Sequence, residues 1–198
     1  MIKYITVTLT MFFILSGTVA ASGATLASQK CESCHGKNGI STKPEVPTIA
    51  GFSSAYLKDA MKDFRSGKRH GDKFRLNGRV TDMNAIARKL SRREIKLVSR
   101  YYASKTFVPY KQQNINYSLI AKGKKIYRKN CMRCHSDNGR DPDDDAGILG
   151  GQSKTYLISQ IAKFKNGKRK GPRKMMRKLK KLKANEITAV INFFASQQ

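Results

Sequence analysis

Sliding the sequence along itself by 100 residues lays its second half over its first. Gly23 falls on Gly123, Cys31 on Cys131, Cys34 on Cys134 and His35 on His135. Asn38-Gly39 falls on Asn138-Gly139, Tyr56-Leu57 on Tyr156-Leu157, Phe64 on Phe164, and Gly67-Lys68-Arg69 on Gly167-Lys168-Arg169. Further on the offset is 92: Met83 meets Met175, Leu90 meets Leu182, Glu94-Ile95 meets Glu186-Ile187, and Tyr101-Tyr102 meets Phe193-Phe194. Agreement held over this distance is a duplication. The chain is therefore expected to form two similar domains, 22–107 and 118–198, with eight extra residues (100 − 92) between Arg69 and Met83 of the first. Residues 108–117 read as a linker, with Pro109, polar Gln112-Gln113-Asn114, one charge at Lys111 and no helical apolar period.

Domains of about 85 residues bury little surface and usually need a staple. The four cysteines fall in two short clusters, leaving none for a long-range disulfide. That arrangement points to a cofactor.

Apolar residues recur at three- and four-residue spacing in the last segment of each half: Ile95, Val98 and Tyr102, then Ile187, Val190 and Phe194. Ser91 with Glu94 makes a capping box for the first of these helices. Lys183 stands where that serine would be, so the second helix is expected to start later, at Asn185. A helix leads into each cysteine cluster, and a middle helix carries Tyr56, Leu57, Ala60 and Phe64, or Tyr156, Leu157 and Phe164. Alternating strand patterns are absent. The fold class is all-α.

The N-terminus has the form of an export signal: Lys3, an apolar run from Ile5 to Leu15, then small residues through Ala20 and Ala21, after either of which a signal peptidase could cut. Residues 1–21 are expected to be removed and the product released into the periplasm. The competing reading is an uncleaved anchor, which the three threonines in the stretch weaken.

Cys31-Glu32-Ser33-Cys34-His35 and Cys131-Met132-Arg133-Cys134-His135 both read C-x-x-C-H, the attachment pattern of haem c. On a helical turn, residues at i, i+3 and i+4 share a face. Two thiols can then bond one porphyrin while the imidazole points at its iron as the proximal ligand. A zinc ribbon needs its second cysteine pair about 15–20 residues on, whereas Cys34 and Cys131 are 97 apart. A redox C-x-x-C belongs in a strand–helix–strand setting, which is missing. Two haem c groups are expected.

For the sixth iron ligand the repeat selects Met83 and Met175, each seven residues before the leucine that precedes the last helix. Met176 is a neighbour one place out of register. Met61 sits on the middle helix, where packing is the expected role. His70, in the extra segment among Lys68, Arg69 and Asp72, reads as part of a solvated loop.

Taken together, the two C-x-x-C-H sites, Gly51-x-Ser53-x-x-Tyr56-Leu57, Phe64-x-x-Gly67-Lys68-Arg69, Met83, Leu90-Ser91-x-x-Glu94-Ile95 and Tyr101-Tyr102-Ala103-Ser104 resemble the cytochrome c4 family over the whole mature length. The resemblance implies two tandem class I cytochrome c domains, His–Met ligation of both irons and haems facing each other across the domain interface. The cytochrome subunit of flavocytochrome c sulfide dehydrogenases is similar too. In that family pattern the carbonyl of Pro47 would hold the His35 ring. Gly147 occupies the matching place in the second half, which leaves open what holds His135.

Against 13 acidic residues stand 40 basic ones, a formal charge of +27. The first domain carries +11 and the second +14, and Lys163 to Lys183 holds twelve basic residues and no acidic one. A solvated face explains part of this. Export makes nucleic acid a poor partner, so the charge points to acidic redox proteins, or to peripheral contact with an anionic membrane. Asp141 to Asp145 would answer a basic patch or form an acidic loop. The expected function is one-electron transfer from a respiratory or sulfur-oxidising donor to an acceptor such as a membrane-bound terminal oxidase, with no catalysis at a substrate. The alternative is the dihaem cytochrome subunit of a flavoprotein that oxidises sulfide.

Overall fold

The computed structural model describes residues 22–111 and 114–198. The expected export segment, 1–21, with both cleavage points, lies outside them, as do Gln112 and Gln113 of the expected linker. Among the described residues no helix is long and apolar enough to cross a membrane.

The chain is mostly helical. The first half contains α1 (Gly23–Lys30), the short α2 (Glu32–His35), α3 (Ser54–Ser66), α4 (Met83–Lys89) and α5 (Arg92–Ala103). The second contains α6 (Ile120–Asn130), α7 (Lys154–Lys165), α8 (Arg173–Lys181) and α9 (Ala184–Ala195). In each half the opening helix crosses the closing one at a glycine. A side-chain carbon on Gly23 would stand 2.6 Å from the Leu97 carbonyl oxygen, and one on Gly123 would collide with that of Ala189. Nothing larger allows the two backbones to approach so closely.

Two expectations about secondary structure need correcting. Strands are present: β1 (Phe74–Leu76) and β2 (Arg79–Thr81) pair antiparallel inside the extra segment of the first half. Their turn is Asn77-Gly78, both at positive φ (48° and 77°), the signature of a two-residue hairpin. The strands are too short for alternation to register. The last helix starts at Ala184, not Asn185. The Glu186 carboxylate accepts from the Lys183 backbone N–H at 2.8 Å, so half of a capping box suffices to begin it. On α5 both halves are present, with Ser91 and Glu94 exchanging bonds of 2.7 and 3.1 Å.

The second core gathers Ile126, Tyr127, Leu157, Val190, Phe193 and Phe194. The first gathers Leu26, Phe52, Leu57, Val98 and Tyr102, together with Ile148 from the second half. Full burial of such a side chain contributes about 1.5–3 kcal/mol, so Ile148 helps to fuse the two halves.

Polar contacts complete the junction in reciprocal pairs. The His70 N–H donates to the Lys168 carbonyl at 2.9 Å, and the Lys170 N–H to that of Lys68 at 2.8 Å. Between them Arg69 and Arg169 face each other across an isolated antiparallel bridge. Arg69 donates to the Tyr156 hydroxyl (2.9 Å) and Gln160 Oε1 (3.1 Å), while Arg169 donates to Gln160 Oε1 (2.8 Å) and the Tyr56 hydroxyl (3.2 Å). Each guanidinium also stacks on its own domain's Phe64 or Phe164. Thr48 and Gln152 exchange two bonds, at 3.2 and 2.7 Å.

The Lys163–Lys183 run is therefore not one solvated face. Lys163 is buried and its ammonium pairs with Asp72 of the first half at 2.6 Å, while Arg169 is part of the junction. The remaining lysines and arginines of the run lie at the surface. Asp141 and Asp144 fold their own loop onto Ser136, and Asp145 accepts from Ser53 across the junction. This acidic stretch is a structural loop, and none of its carboxylates pairs with the Lys163–Lys183 run among the described residues.

Candidate functional site

Cys31, Cys34 and His35 are held on one turn, with the Cys34 and His35 N–H groups donating to the Cys31 carbonyl at 3.1 and 3.0 Å. Cys131, Cys134 and His135 repeat this at 3.1 and 3.0 Å. All four cysteines are free of disulfides. Burial pushes the Cys131 thiol up to about 11 and the Cys31 thiol above its usual range. Neither is poised as a thiolate, as a thiol–disulfide exchange centre would require.

Around the first cluster is a cleft with about 530 Å³ of empty space, lined by Cys31, Cys34, His35, Met61 and Met83 and otherwise largely by apolar side chains of α3, α4 and α5. The Pro47 carbonyl binds His35 Nδ1 at 3.0 Å, which leaves Nε2 to meet a metal. Burial lowers the His35 pKa, only partly opposed by that carbonyl, so the ring is kept neutral, the form that ligates. Of the two buried hydroxyls on the cleft wall, Ser99 Oγ has no hydrogen-bond partner among the described residues, and Tyr102 Oη lies beside the Cys31 thiol. A deep apolar slot with two cysteines and a fixed imidazole on one side and methionine on its lining fits a haem.

The second cluster is built differently around its histidine. Burial lowers the His135 pKa, opposed first by the Asp144 charge and then by the Gly147 carbonyl. That carbonyl does not reach hydrogen-bond geometry, and Nδ1 is buried without a partner among the described residues. The substitution has a cause in the fold. Gly147 lies at φ 78°, and a side-chain carbon there would stand 2.5 Å from the Tyr56 ring of the first domain.

The methionines separate in the same way. Met83 opens α4, and the next residue, Asn84, is buried and ties three backbone groups. Its Nδ2 donates to the carbonyls of Phe64 (2.7 Å) and Arg69 (2.8 Å), and its Oδ1 accepts from the Gly71 N–H (2.8 Å). At the 92-residue offset Asn84 corresponds to Met176. The Met176 sulfur sits beside Gly171, the partner of Gly71, 3.1 Å from where a side-chain carbon would be. Met176 thus fills the place of the Asn84 carboxamide, and Met175 is the counterpart of Met83. Met61 shares the first cleft, but its counterpart is Ile161, packed on the second core and unable to ligate. His70 is exposed, its backbone engaged by Lys168.

Sequence reasoning missed Asn84 and the arginine pair. The only signal for either was the repeat, which showed Arg69 on Arg169 and Asn84 on a residue of different chemistry. No carboxylate lies within 4.0 Å of either guanidinium among the described residues. Arg69 is buried and Arg169 half-buried; cations so placed suit an anionic group, and haem c carries two propionate carboxylates.

The cytochrome c family model matches residues 20–104 and 120–198, which makes the chain a tandem c-type cytochrome. The cytochrome c4 of Pseudomonas aeruginosa is 31% identical over 197 residues, covering 90% of this chain and 91% of that protein. The crystal structure of reduced recombinant cytochrome c4 from Pseudomonas stutzeri matches with a TM-score of 0.71 at 25% identity, over 89% of this chain and 97% of that one. The thiosulfate dehydrogenase electron acceptor of Thiomonas intermedia is 26% identical, over 81% of this chain and 73% of its own length. The chain belongs to the cytochrome c4 family, with two covalently bound haem c groups and a role in electron transfer.

Proposed function

We propose that Cys31, Cys34, His35 and Met83 hold the first haem and Cys131, Cys134, His135 and Met175 the second. The observation that carries this reading is the lining of one apolar cleft by Cys31, Cys34, His35 and Met83, repeated in register by the second half. When bound, each haem supplies an iron that accepts or gives a single electron. The residues do the rest. The cysteines would fix the cofactor, the Pro47 carbonyl sets the His35 tautomer, and Met83 of α4 and Met175 of α8 would supply the thioether ligands. An iron held by both histidine and methionine would keep no position for a substrate, which supports a carrier rather than an enzyme.

The carrier works in the periplasm, between a respiratory or sulfur-oxidising donor and a membrane-bound acceptor such as a terminal oxidase. The likeness to an electron acceptor of thiosulfate dehydrogenase supports the sulfur-oxidising side. Its partners are acidic proteins, attracted by the surface lysines and arginines of α8 and its flanks over a range of about 8 Å at physiological salt. Two measurements test this. Protein matured in a host that attaches haem should gain the mass of two haems, retained on denaturing electrophoresis; one or none overturns the ligand assignment. Purification from the native host should yield a free carrier, and a stoichiometric flavoprotein in its place would make it an enzyme subunit.

A further inference from the structure

The residues present only in the first domain form the β1–β2 hairpin, and the hairpin makes a second cavity. It is an open cleft of about 1080 Å³, solvent included, against the ends of α1 and α4, with Lys30, Arg79 and Lys89 on its walls beside Gln29, Asn77 and Thr81. Lys30, Ile86 and Leu90 line both this cavity and the first haem cleft, so the two share a wall.

The acids flanking the hairpin are directed elsewhere. Asp72 is held by Lys163 at 2.6 Å and by Ser159, and Asp82 caps α4 by accepting from the Ala85 N–H at 2.8 Å. Glu94 approaches Lys30 only to 3.9 Å, a loose surface pair. Arg79 and Lys89 are exposed, and Leu76, Ile86 and Leu90 give the cavity an apolar lining beside them. An apolar contact beside a charged rim is the composition of small electron-transfer interfaces. The lysines of α8 are exposed on the outside of a helix, where they can attract a partner from a distance.

We propose that this cavity is the docking site of an acidic redox protein, whose carboxylates engage Lys30, Arg79 and Lys89 beside Leu76, against the wall of the first haem cleft. The proposal rests on the carrier reading above and adds the place at which the partner binds. The hairpin then gives the first domain a contact surface that the second, running from Gly171-Pro172 directly into α8, does not possess.

The test uses the full-length dihaem protein with dithionite-reduced flavodoxin, an acidic one-electron donor, in stopped-flow at low ionic strength. The pair Arg79→Glu/Lys89→Glu should slow the second-order rate on the order of tenfold, with both haem potentials unchanged. The matched pair Lys170→Glu/Lys174→Glu should slow it less. Carbodiimide coupling of the wild type to flavodoxin, followed by peptide mapping, should place the bonds at Lys30 or Lys89. Equal slowing by the two pairs, or coupling confined to Lys170 and Lys174, overturns the docking site while leaving the carrier reading intact. If the hairpin pair abolishes sedimentation with phosphatidylglycerol vesicles but leaves the flavodoxin rate unchanged, the cavity serves a membrane and the proposal fails. A wild-type rate insensitive to salt and to both pairs would remove charge-guided partner binding altogether, and the docking site with it.

Discussion

The two domains carry the same ligand pattern, but the first secures it with polar ties that the second lacks. His35 is tied to the Pro47 carbonyl, whereas His135 Nδ1 is buried without a partner among the described residues. The residue after Met83 makes three hydrogen bonds, whereas the residue after Met175 is a methionine filling space. The difference follows from the junction. Gly147 is required by the Tyr56 ring, and Gln160, which bridges both arginines, has only Ala60 as its counterpart. Positions that serve the ligand surroundings in the first domain thus serve the junction in the second. A shared ligand pattern therefore does not imply equal rigidity around the two irons.

The largest test replaces the proposed axial ligands. Met83→Leu and Met175→Leu should each remove one upfield methionine methyl from the reduced NMR spectrum and weaken the near-infrared sulfur-to-iron band. Each should lower the potential of its haem by roughly 0.1 V or more, because thioether ligation favours ferrous iron. Met176→Leu should spare both methyl signals. Loss of the second signal in Met176→Leu would instead reverse the register between Asn84 and Met176, and with it the comparison of the domains.

Next in size is the junction. Arg69→Leu leaves the Tyr156 hydroxyl and one bond to Gln160 unmatched and removes a buried cation, a cost of about 3 kcal/mol. Removing positive charge near a haem also favours the ferric state, so the potential should fall. Arg169→Leu should behave alike, since the two contacts are reciprocal. Thermal unfolding and redox titration of the dihaem protein measure both effects; an unchanged potential would mean that the arginines do not face the haem carboxylates.

Much of this was legible in the sequence because duplication acts as an internal alignment. Cys31 on Cys131 and His35 on His135 defined the clusters, and Met83 on Met175 outranked Met61 and Met176. The periodicity of Ile95, Val98 and Tyr102 predicted α5. What escaped was tertiary. Lys163 and Arg169 look like any other members of a basic run, and only their burial against Asp72, Tyr56 and Gln160 separates them. Asn77-Gly78 was a readable hairpin signal, but three-residue strands show no alternation to support it. The start of α9 was misplaced because a serine was expected at its cap, while the carboxylate of Glu186 was enough.

A smaller effect concerns Asn84. Asn84→Leu leaves the Gly71 N–H and the Phe64 and Arg69 carbonyls unpaired, a cost of about 2 kcal/mol. It should also loosen Met83, so that the first haem loses its sulfur band at a lower pH or with less competing imidazole than before. Met176→Leu should move neither quantity for the second haem by a comparable amount. Equal lability of the two haems in the unmodified protein would show that the extra ties of the first domain do not bear on its ligand.

The smallest expected effect lies at the starts of the closing helices, where the comparison can be altered at one residue. Ser91→Ala removes the hydroxyl that accepts from the Glu94 N–H and should cost about 1 kcal/mol. Lys183→Ser should complete the box on α9 and stabilise the second domain by roughly 0.5 kcal/mol, less than the first loses because the Glu186 bond is already made. The Ser91 N–H, and then its hydroxyl, hold the Glu94 carboxyl below its usual value of 4.5. A depressed folded-state pKa contributes stability that is present above 4.5 and lost as pH falls through the folded value. The difference between wild type and Ser91→Ala should therefore be constant near neutrality and narrow in acid, measured by denaturant unfolding at several pH values. A gap that stayed the same into strong acid would assign the stabilisation to the hydroxyl bond alone, and the two helix starts would then differ only by that bond.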